Sequence, residues 1–439
     1  MIDINLLRTE ETFQKVLASE KKRFRDGSFA IEARDLDKEF IKKQYNLEQL
    51  KKGLNEINKK IKEIHKERKL KKEFDLNEIE LQILITEKNE CSKKIEAQNE
   101  DVLKTGEEVS KKLRLIGNIL DDAVIFSKDE NDNEILRTHE NPQKIDCKIL
   151  THNLIMERLG GIEFLRGSKI VGHRGYFLKD DIALLEVALS RYAIDFAKKE
   201  EASSTYIQTP AFMKKEIMEK TCQLSDFDEQ LYSVNDSHYL VATSEQPISA
   251  LYMDERLERA ELPKYFIGDS LCFRKEAGAH GKDNLGIFRI HQFHKLEQFV
   301  ICEAEESKKY HERMIALTEK FLASLGFSTR TISIVSGEMN DAAAIKYDIE
   351  AYFPGQDCYR ELASISNCLD YQSRDLNIRF GASKVDNKKI YVHMLNGTLC
   401  AIQRTMCGLL EIHQTSKGVK VPLVLQKYMG KEFLDYVKN

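Results

Sequence analysis

Between Leu36 and Leu115 the apolar residues follow a seven-residue repeat, and this stretch contains no proline and almost no glycine. Positions separated alternately by three and four residues form two tracks, which is the spacing of a coiled-coil seam. The first track consists of Leu47, Leu50, Leu54, Ile57, Ile61 and Ile64. The second consists of Leu81, Leu84, Lys88, Cys91, Ile95, Gln98 and Val102. We predict two long helices, over about residues 36–70 and 77–115.

The two tracks are interrupted by the segment Glu73 to Asn77, which is suited to reversing the chain. An antiparallel hairpin of two helices is the simplest arrangement. At 1.5 Å per residue, the first helix would be about 50 Å long, too long to be part of a compact core. The pattern therefore predicts a domain over residues 1–115 with a coiled-coil arm, followed by a second domain over residues 116–439.

Charge separates the two helices of the predicted arm. Residues 36–72 contain thirteen Lys and Arg against six Asp and Glu, whereas residues 73–115 contain seven against eleven. Basic side chains along one helix suit a nucleic-acid backbone, although lysines that simply solvate a long helix are the alternative. The candidate RNA contacts on the first helix are Lys51, Lys52, Lys59, Lys60 and Lys62.

After residue 115 the pattern becomes that of an α+β domain. Helical periodicity covers 181–197, 303–325 and 400–415, and β-branched or alternating runs predict strands at 204–210, 239–244, 271–276, 287–300, 328–335 and 389–395. Because regular crossover helices do not separate these runs, we predict an antiparallel sheet. The glycine-rich fingerprints of P-loop and dinucleotide-binding proteins are missing from the sequence.

Composition is that of an intracellular enzyme. The 439 residues are 42% apolar with a formal net charge of -4, which excludes a uniformly basic nucleic-acid binder. The nine cysteines lack the close pairs of a zinc site, so we expect no zinc. Since the chain has neither a secretory-type apolar segment near Met1 nor an uninterrupted apolar run of about 18 residues, we expect a cytoplasmic protein without a membrane partner.

The stretch from Phe273 to Phe299 carries the densest candidate chemistry. Its arginines suit phosphate groups, because a guanidinium forms two parallel hydrogen bonds to oxygens, and its carboxylates suit an amine. The basic and acidic candidates there are Arg274, Lys275, Glu276, Arg289 and Glu297.

This stretch resembles the second signature motif of the class II aminoacyl-tRNA synthetases. A long helix leading to a strand that ends in Pro210 resembles the first motif, and the segment from Asn396 to Arg404 resembles the third. With the arm, and with Thr243-Ser244-Glu245 and Ser366-Asn367, nearly the whole chain resembles the seryl-tRNA synthetases, in their eukaryotic and archaeal cytosolic branch. The resemblance implies a class II catalytic domain over residues 116–439.

The family's reaction joins serine to ATP, giving seryl-adenylate, and then transfers the seryl group to tRNA(Ser); tRNA(Sec) remains open as a second substrate. The resemblance assigns catalysis to Arg274, Glu361 and Arg404. Glu276, Phe293 and Arg404 would hold adenine; periodicity alone would favour Phe293 as a core residue, and the motif reverses that order. The full ATP set is Arg274, Lys275, Glu276, Arg289, Ile290, Phe293, Glu361, Leu362, Ala363, Ser364 and Arg404.

The resemblance also implies a serine subsite, a metal ion and a dimer. Glu361 and Ser364 would hold Mg²⁺, and a homodimer would form through about residues 181–210. The serine subsite would contain Thr243, Ser244, Glu245, Arg274, Glu297, Asn396 and Thr398. Alternatively, Glu245 and Glu297 pair with local lysines such as Lys295. Ala363 and Ile365 depart from the commonest family pattern, which has a serine and a cysteine there.

Three other functions remain open from the sequence. A paralogue could keep the fold without charging tRNA and serve as an RNA- or protein-binding module. A class II synthetase for another amino acid is the second, and a structural interaction protein built on the coiled coil is the third.

Overall fold

The structure is a computed structural model that describes residues 1–71, 77–221, 230–276, 286–381 and 389–437, without the side chains of residues 68–71 and 77. It divides into two compact units. The first unit contains Asp3–Ala18 and Arg25–Ile116, and the second contains Met1–Ile2, Ser19–Phe24 and Gly117–Asn439. We predicted a single division after residue 115, but the structure also places residues 19–24 with the second unit.

The α-helices are α1 (Glu10–Lys22), α2 (Ser28–Lys71), α3 (Asn77–Leu113), α4 (His152–Arg158), α5 (Phe164–Val171), α6 (Asp180–Glu200), α7 (Lys215–Met218), α8 (Glu245–Ser249), α9 (Ser307–Ser324), α10 (Tyr371–Asp375), α11 (Ile402–Ile412) and α12 (Leu423–Met429). None of the helices in the described part of the chain has the length and apolarity needed to cross a membrane.

The strands are β1 (Glu134–His139), β2 (Thr205–Gln208), β3 (Phe212–Lys214), β4 (Ser233–Asn235), β5 (His238–Leu240), β6 (Arg256–Leu257), β7 (Lys264–Phe273), β8 (Gln292–Cys302), β9 (Thr329–Ser333), β10 (Ile345–Phe353), β11 (Cys358–Asn367), β12 (Arg379–Phe380), β13 (His393–Ala401), β14 (Gly418–Lys420) and β15 (Phe433–Asp435).

Helices α2 and α3 run antiparallel to each other, as predicted. Lys43 near the start of α2 pairs with Asp101 near the end of α3 at 3.0 Å, whereas Ile64 packs with Leu81 and Leu84 toward the other end. The predicted chain reversal at 73–77 lies largely outside the described residues. In an antiparallel coiled coil, residues early in one helix contact residues late in the other, and these two sets of contacts follow that pattern.

Two details of the arm differ from the prediction. Helix α2 begins at Ser28 instead of about residue 36, because Ala30 and Ala33 are fully buried and continue the packed face with small side chains. Lys88, which we placed on the second track, is exposed. A lysine ammonium is costly to desolvate, so its side chain extends to water at this position.

The second unit is built on an eight-stranded sheet in the order β1-β9-β10-β11-β13-β8-β7-β2. All neighbouring pairs are antiparallel except β2 and β7. The predicted antiparallel α+β class is therefore confirmed. Helices α6, α9 and α11 pack against the sheet and enclose the main hydrophobic core, which includes Leu189, Phe321 and Met406.

Several strand predictions were wrong in extent. The hairpin of β10 and β11 was not predicted, and β7 and β8 are longer or displaced relative to the predicted runs. Residues 239–244 are a strand only through Leu240, and α8 begins at Glu245. The loop that joins β7 to β8 includes residues 277–285, which lie outside the described residues.

Gly397 on β13 faces Ile365 on β11, and the two residues are register partners. A methyl group added at Gly397 would lie 2.8 to 3.2 Å from three atoms of the Ile365 side chain, including its Cβ. Such a distance is shorter than van der Waals contact. The isoleucine that departs from the family pattern therefore occupies the space beside this glycine.

We predict that Gly397→Ala lowers the free energy of unfolding by about 1–3 kcal/mol, because the added methyl overpacks the site. Urea denaturation measures the change. The double variant Gly397→Ala/Ile365→Cys should recover part of the loss, since neighbouring substitutions are not additive. Equal losses in the single and double variants would contradict this steric account.

Candidate active site

A cleft opens on the sheet over β8, β11 and β13, beside the residues that follow β7, and is bordered by α8 and α11. Its walls combine cationic, carboxylate and amide side chains with a few apolar ones. Fourteen of the sequence-predicted residues line it: Thr243, Glu245, Arg274, Glu276, Arg289, Ile290, Phe293, Glu297, Glu361, Leu362, Ser364, Asn396, Thr398 and Arg404.

One end of the cleft contains a buried ion pair on β8. The ammonium of Lys295 lies 2.5 Å from the carboxylate of Glu297, and their side chains are only 8% and 3% exposed. The Thr243 hydroxyl donates to Glu297 at 3.2 Å, and Thr398 lies opposite Glu297 in the strand register. A buried carboxylate needs a compensating charge, and the Lys295 ammonium supplies it here.

The second carboxylate at this end, Glu245, is held by amides. Gln372 and Asn396 each donate to its Oε1 atom at 2.9 Å. Burial and the nearby Glu297 carboxylate raise the pKa of Glu245 to about 7. A ligand ammonium placed between these carboxylates would favour the ionised form of Glu245, because an opposite charge stabilises it.

Arg274 begins the loop that follows β7. Its backbone N–H donates to the His291 carbonyl at 2.9 Å, and its guanidinium lies 5.2 Å from the centre of the Phe293 ring. Backbone pairing and cation–π contact thus fix a planar cation between the two ends of the cleft. This position suits an anion that two substrates share.

Glu276 and Arg289 face each other across the same loop. Arg289 donates to the Glu276 carboxylate at 3.3 Å, and Glu276 has a backbone φ of 52°. Non-glycine residues seldom adopt this left-handed conformation, and they do so mainly where the surrounding structure enforces it. The conformation directs the carboxylate back into the cleft, where it is 12% exposed.

Arg404 on α11 lies at the other end, beside Glu361 on β11. Its Nη1 is 3.2 Å from the Glu361 carboxylate, and its guanidinium is 4.9 Å from the centre of the Phe288 ring. Desolvation opposes ionisation of Glu361, but Arg404 and Lys346 outweigh it and lower the pKa of this carboxyl. Arg404 therefore contacts Glu361 and Phe288, and the expected contact of Phe293 and Arg404 with adenine stays a prediction.

Beneath Glu361 lies a carboxylate that we did not single out from the sequence. Asp348 on β10 is the register partner of Ser364, and its Oδ1 atom is buried without a hydrogen-bond partner. Burial raises the pKa of Asp348 to about 7. Glu361 and Ser364 give this part of the cleft hard oxygen atoms, and Asp348 lies beside Ser364 on the neighbouring strand without lining the cleft.

Comparison with known proteins agrees with this geometry. The model of the seryl-tRNA synthetase N-terminal domain matches residues 1–120, and that of the tRNA synthetase class II core domain (G, H, P, S and T) matches residues 228–413. The serine–tRNA ligase of Encephalitozoon cuniculi is 49% identical, with 99% of each chain covered. The chain belongs to the seryl-tRNA synthetases.

Two solved structures of this family share the whole fold. The cytoplasmic serine–tRNA ligase of Naegleria fowleri, in complex with AMP, is 40% identical with a TM-score of 0.85, covering 100% of this chain and 99% of the other. The seryl-tRNA synthetase of Pyrococcus horikoshii, complexed with ATP, is 34% identical with a TM-score of 0.88, covering 100% of both chains.

Three predicted residues of the seryl-tRNA synthetase site do not line the cleft. Ser244 is fully buried beside Gly268, Ala363 is buried in the core, and Lys275 pairs through its backbone N–H with Gln230. Any contact of Ala363 or Lys275 with a ligand in this cleft would therefore use backbone atoms or require the side chain to move.

The sequence reasoning missed several residues that line the cleft, including Phe288, Asn340 and Gln403, and treated Lys295 only as an alternative partner. Lys295 carried a usable signal, because a lysine two residues from a buried strand carboxylate points to the same face of the strand. The sequence contained no such signal for Asn340, because this residue reaches the cleft from a loop that is distant in sequence.

We predict that Lys295→Met destabilises the protein by about 3–5 kcal/mol, because it leaves the Glu297 charge buried without a partner. Urea denaturation of the single variant and of Lys295→Met/Glu297→Gln tests this, and the double variant should recover much of the loss. Lys309→Met, which removes an exposed ion pair with Glu306, is the control and should cost at most about 1 kcal/mol. Equal losses for the two lysines would refute the prediction.

Proposed function

We propose that this chain is a serine–tRNA ligase that works in the cytoplasm. The observation that carries the proposal is the placement of Arg274 between a carboxylate pair, Glu245 and Glu297, and the oxygen-rich region around Glu361. One end of the cleft suits an amino acid and the other suits a nucleotide. Relatives with the whole fold bind AMP and ATP, and one of them is named cytoplasmic.

In the first step, a carboxylate oxygen of serine attacks the α-phosphorus of ATP, and the bond to the β-phosphate oxygen breaks to release pyrophosphate. No side chain has to accept a proton, because the nucleophile is already an anion. Arg274 would contact both the serine carboxylate and the α-phosphate, aligning them and offsetting their repulsion. Arg289 and Arg404 would contact the terminal phosphates, and Glu276 would accept a hydrogen bond from the adenine amine.

Glu361 and Ser364 would hold Mg²⁺ in this site. The donor set fits, because magnesium prefers oxygen ligands and completes its shell with nucleotide phosphates. No group of three or more His, Cys, Asp and Glu side chains in the described ranges is arranged to hold a metal by itself. Bound there, Mg²⁺ would neutralise charge on the phosphate oxygens. Arg404 contacts the Glu361 carboxylate, so binding of the ion would replace one cationic partner of that carboxylate by another.

The same end of the cleft would select serine. Glu245 and Glu297 would bind the α-ammonium and the hydroxyl, with Thr243, Asn396 and Thr398 completing the hydrogen bonds. A site built around a hydrogen-bonded hydroxyl strongly rejects an analogue without it, because its own polar groups would be left unpaired. Alanine lacks the hydroxyl, so we expect this site to reject it as a substrate.

In the second step, the terminal ribose of tRNA(Ser) accepts the seryl group, and AMP leaves. We assign binding of the tRNA to the basic helix α2. Lys51, Lys52, Lys59, Lys60 and Lys62 are all exposed, and Lys52, Lys59 and Lys62 recur at helical spacings that place them on one side of α2. An exposed stripe of this kind follows a phosphate backbone without reading bases.

We further propose a homodimer formed through residues 181–210 and the preceding helix. Helices α5 and α6 present apolar side chains to solvent: Leu165 is 81% exposed, Val187 66% and Ile170 72%. Strand β2 is the edge of the large sheet and has three exposed residues of four. An apolar helix face beside an open sheet edge is the kind of surface that monomeric proteins rarely leave uncovered.

Amino-acid-dependent exchange of pyrophosphate into ATP tests the first step. We predict exchange with serine and at least about a hundredfold less with alanine, threonine or proline, since the pocket's polar groups match serine alone. Arg274→Met should abolish exchange. No exchange with any amino acid would favour a non-charging paralogue, and exchange with another amino acid would reassign the pocket.

Replacing Lys59, Lys60 and Lys62 by alanine should leave pyrophosphate exchange unchanged but lower kcat/KM for tRNA(Ser) aminoacylation by at least about tenfold at physiological salt, because phosphate contacts are lost. The matched control replaces three exposed lysines of α3, Lys88, Lys93 and Lys94. Equal effects of the two triple variants would show that this stripe is not the tRNA contact. Running the same assay with tRNA(Sec) decides whether that tRNA is a second substrate.

The dimer is tested by the mass in solution, measured by light scattering. We predict a mass of two chains for the natural protein and of one chain for Val187→Glu, since a buried charge at an apolar interface has no partner. Ile135→Glu is the control, because Ile135 is 51% exposed on β1, the opposite edge strand of the sheet. A monomeric natural protein, or a dimeric Val187→Glu, would contradict this interface.

A further inference from the structure

Arg23 is an arginine near the start of the chain whose side chain is buried in the second unit. It is 7% exposed and lies in the segment Ser19–Phe24, which groups with the catalytic residues. Its guanidinium donates to four backbone carbonyls: to Asn118 at 3.0 Å, to Asn340 at 3.0 Å, to Ala343 at 2.7 Å and to Met339 at 3.5 Å. A planar group with five donors is suited to holding several carbonyls in fixed positions.

Gly117 permits this arrangement. A Cβ atom at residue 117 would lie 2.6 Å from both Cδ and Nε of Arg23 and 3.1 Å from its Cζ. No side chain other than hydrogen fits there while the arginine keeps its position. The arginine side chain therefore packs directly against the backbone at Gly117.

From Arg23 two short paths lead to the cleft. The first is direct, because Asn340 itself lines the cleft at the end that contains Glu245 and Arg274. The second passes through Asn118, whose side-chain amide donates to the carbonyls of Ala342 and Cys368 at 2.8 and 2.9 Å.

Cys368 in turn contacts the serine subsite. Its sulfur accepts from the Asn396 amide at 3.4 Å, and the same amide donates to Glu245 at 2.9 Å. A shift of the loop 339–343 or of Asn118 would therefore displace both a wall residue and the amide that orients Glu245.

We propose that Arg23 is a positioning residue for the serine subsite and supports the tRNA-independent activation of serine. The inference rests on the proposed function. It gives residues at the start of the chain a second role, distinct from tRNA binding by the arm, because Arg23 fixes the backbone around the amino-acid end of the cleft and touches no substrate. The nucleotide end of the cleft is formed instead by residues of β11 and α11.

Pyrophosphate exchange by the full-length protein tests the proposal. Arg23→Met removes the hydrogen bonds, and Gly117→Ala displaces the arginine without removing it. Both variants should raise the KM for serine about tenfold and leave the KM for ATP within about twofold. Arg23→Lys, which keeps the charge but not the fork of donors, should fall between Arg23→Met and the natural protein.

Arg25→Met is the matched control. Arg25 lies two residues away, belongs to the first unit and donates to the Leu115 carbonyl, so its loss should leave both KM values unchanged. An unchanged serine KM in Arg23→Met or Gly117→Ala would overturn the proposal. So would a fall in kcat alone or an equal rise of both KM values, because these are the results of a purely structural role. Absence of serine-dependent exchange in the natural protein would overturn the proposed function itself.

Discussion

The cleft depends on keeping two carboxylates in a small, largely dry space. Glu297 forms an ion pair with Lys295, whereas Glu245 is held by the amides of Gln372 and Asn396 and has a raised pKa. Full ionisation of both without a ligand would place like charges together at low dielectric. An ammonium group bound between the two carboxylates would offset this repulsion.

The antiparallel sheet supplies this arrangement. Glu297 and Thr398 are register partners on β8 and β13, and Asn396 pairs in register with Ser366 on β11. Because alternate residues of a strand share one face, these three neighbouring strands place the four polar side chains on the same face of the sheet. On the opposite face of these strands, the Ile365 side chain occupies the space beside Gly397.

Much of this organisation was predictable from the sequence, for identifiable reasons. The seven-residue repeat gave the two antiparallel helices because coiled-coil packing is periodic and local. It placed the start of α2 too late, since Ala30 and Ala33 pack without being strongly hydrophobic. The cleft residues followed from the resemblance to a family, because fourteen of them stand in motifs of fixed spacing.

What the sequence did not predict depends on contacts between distant segments. The burial of Asp348 follows from the pairing of β10 with β11, and Asn340 reaches the cleft only through loop geometry. Arg23 is the extreme case, because it lies 317 residues from Asn340, to whose carbonyl it donates. No local periodicity encodes such a contact.

The two ends of the cleft differ in what a ligand would have to change. At the amino-acid end, Lys295, Gln372 and Asn396 already satisfy the carboxylates, so a ligand joins an existing network. At the nucleotide end, Arg404 contacts Glu361 and Phe288, and Arg289 contacts Glu276. Phosphates and adenine would have to replace these contacts. Since an existing ion pair offsets part of the gain from a new one, a phosphate bound beside Arg404 would exchange partners, whereas an ammonium bound beside Glu245 would add one.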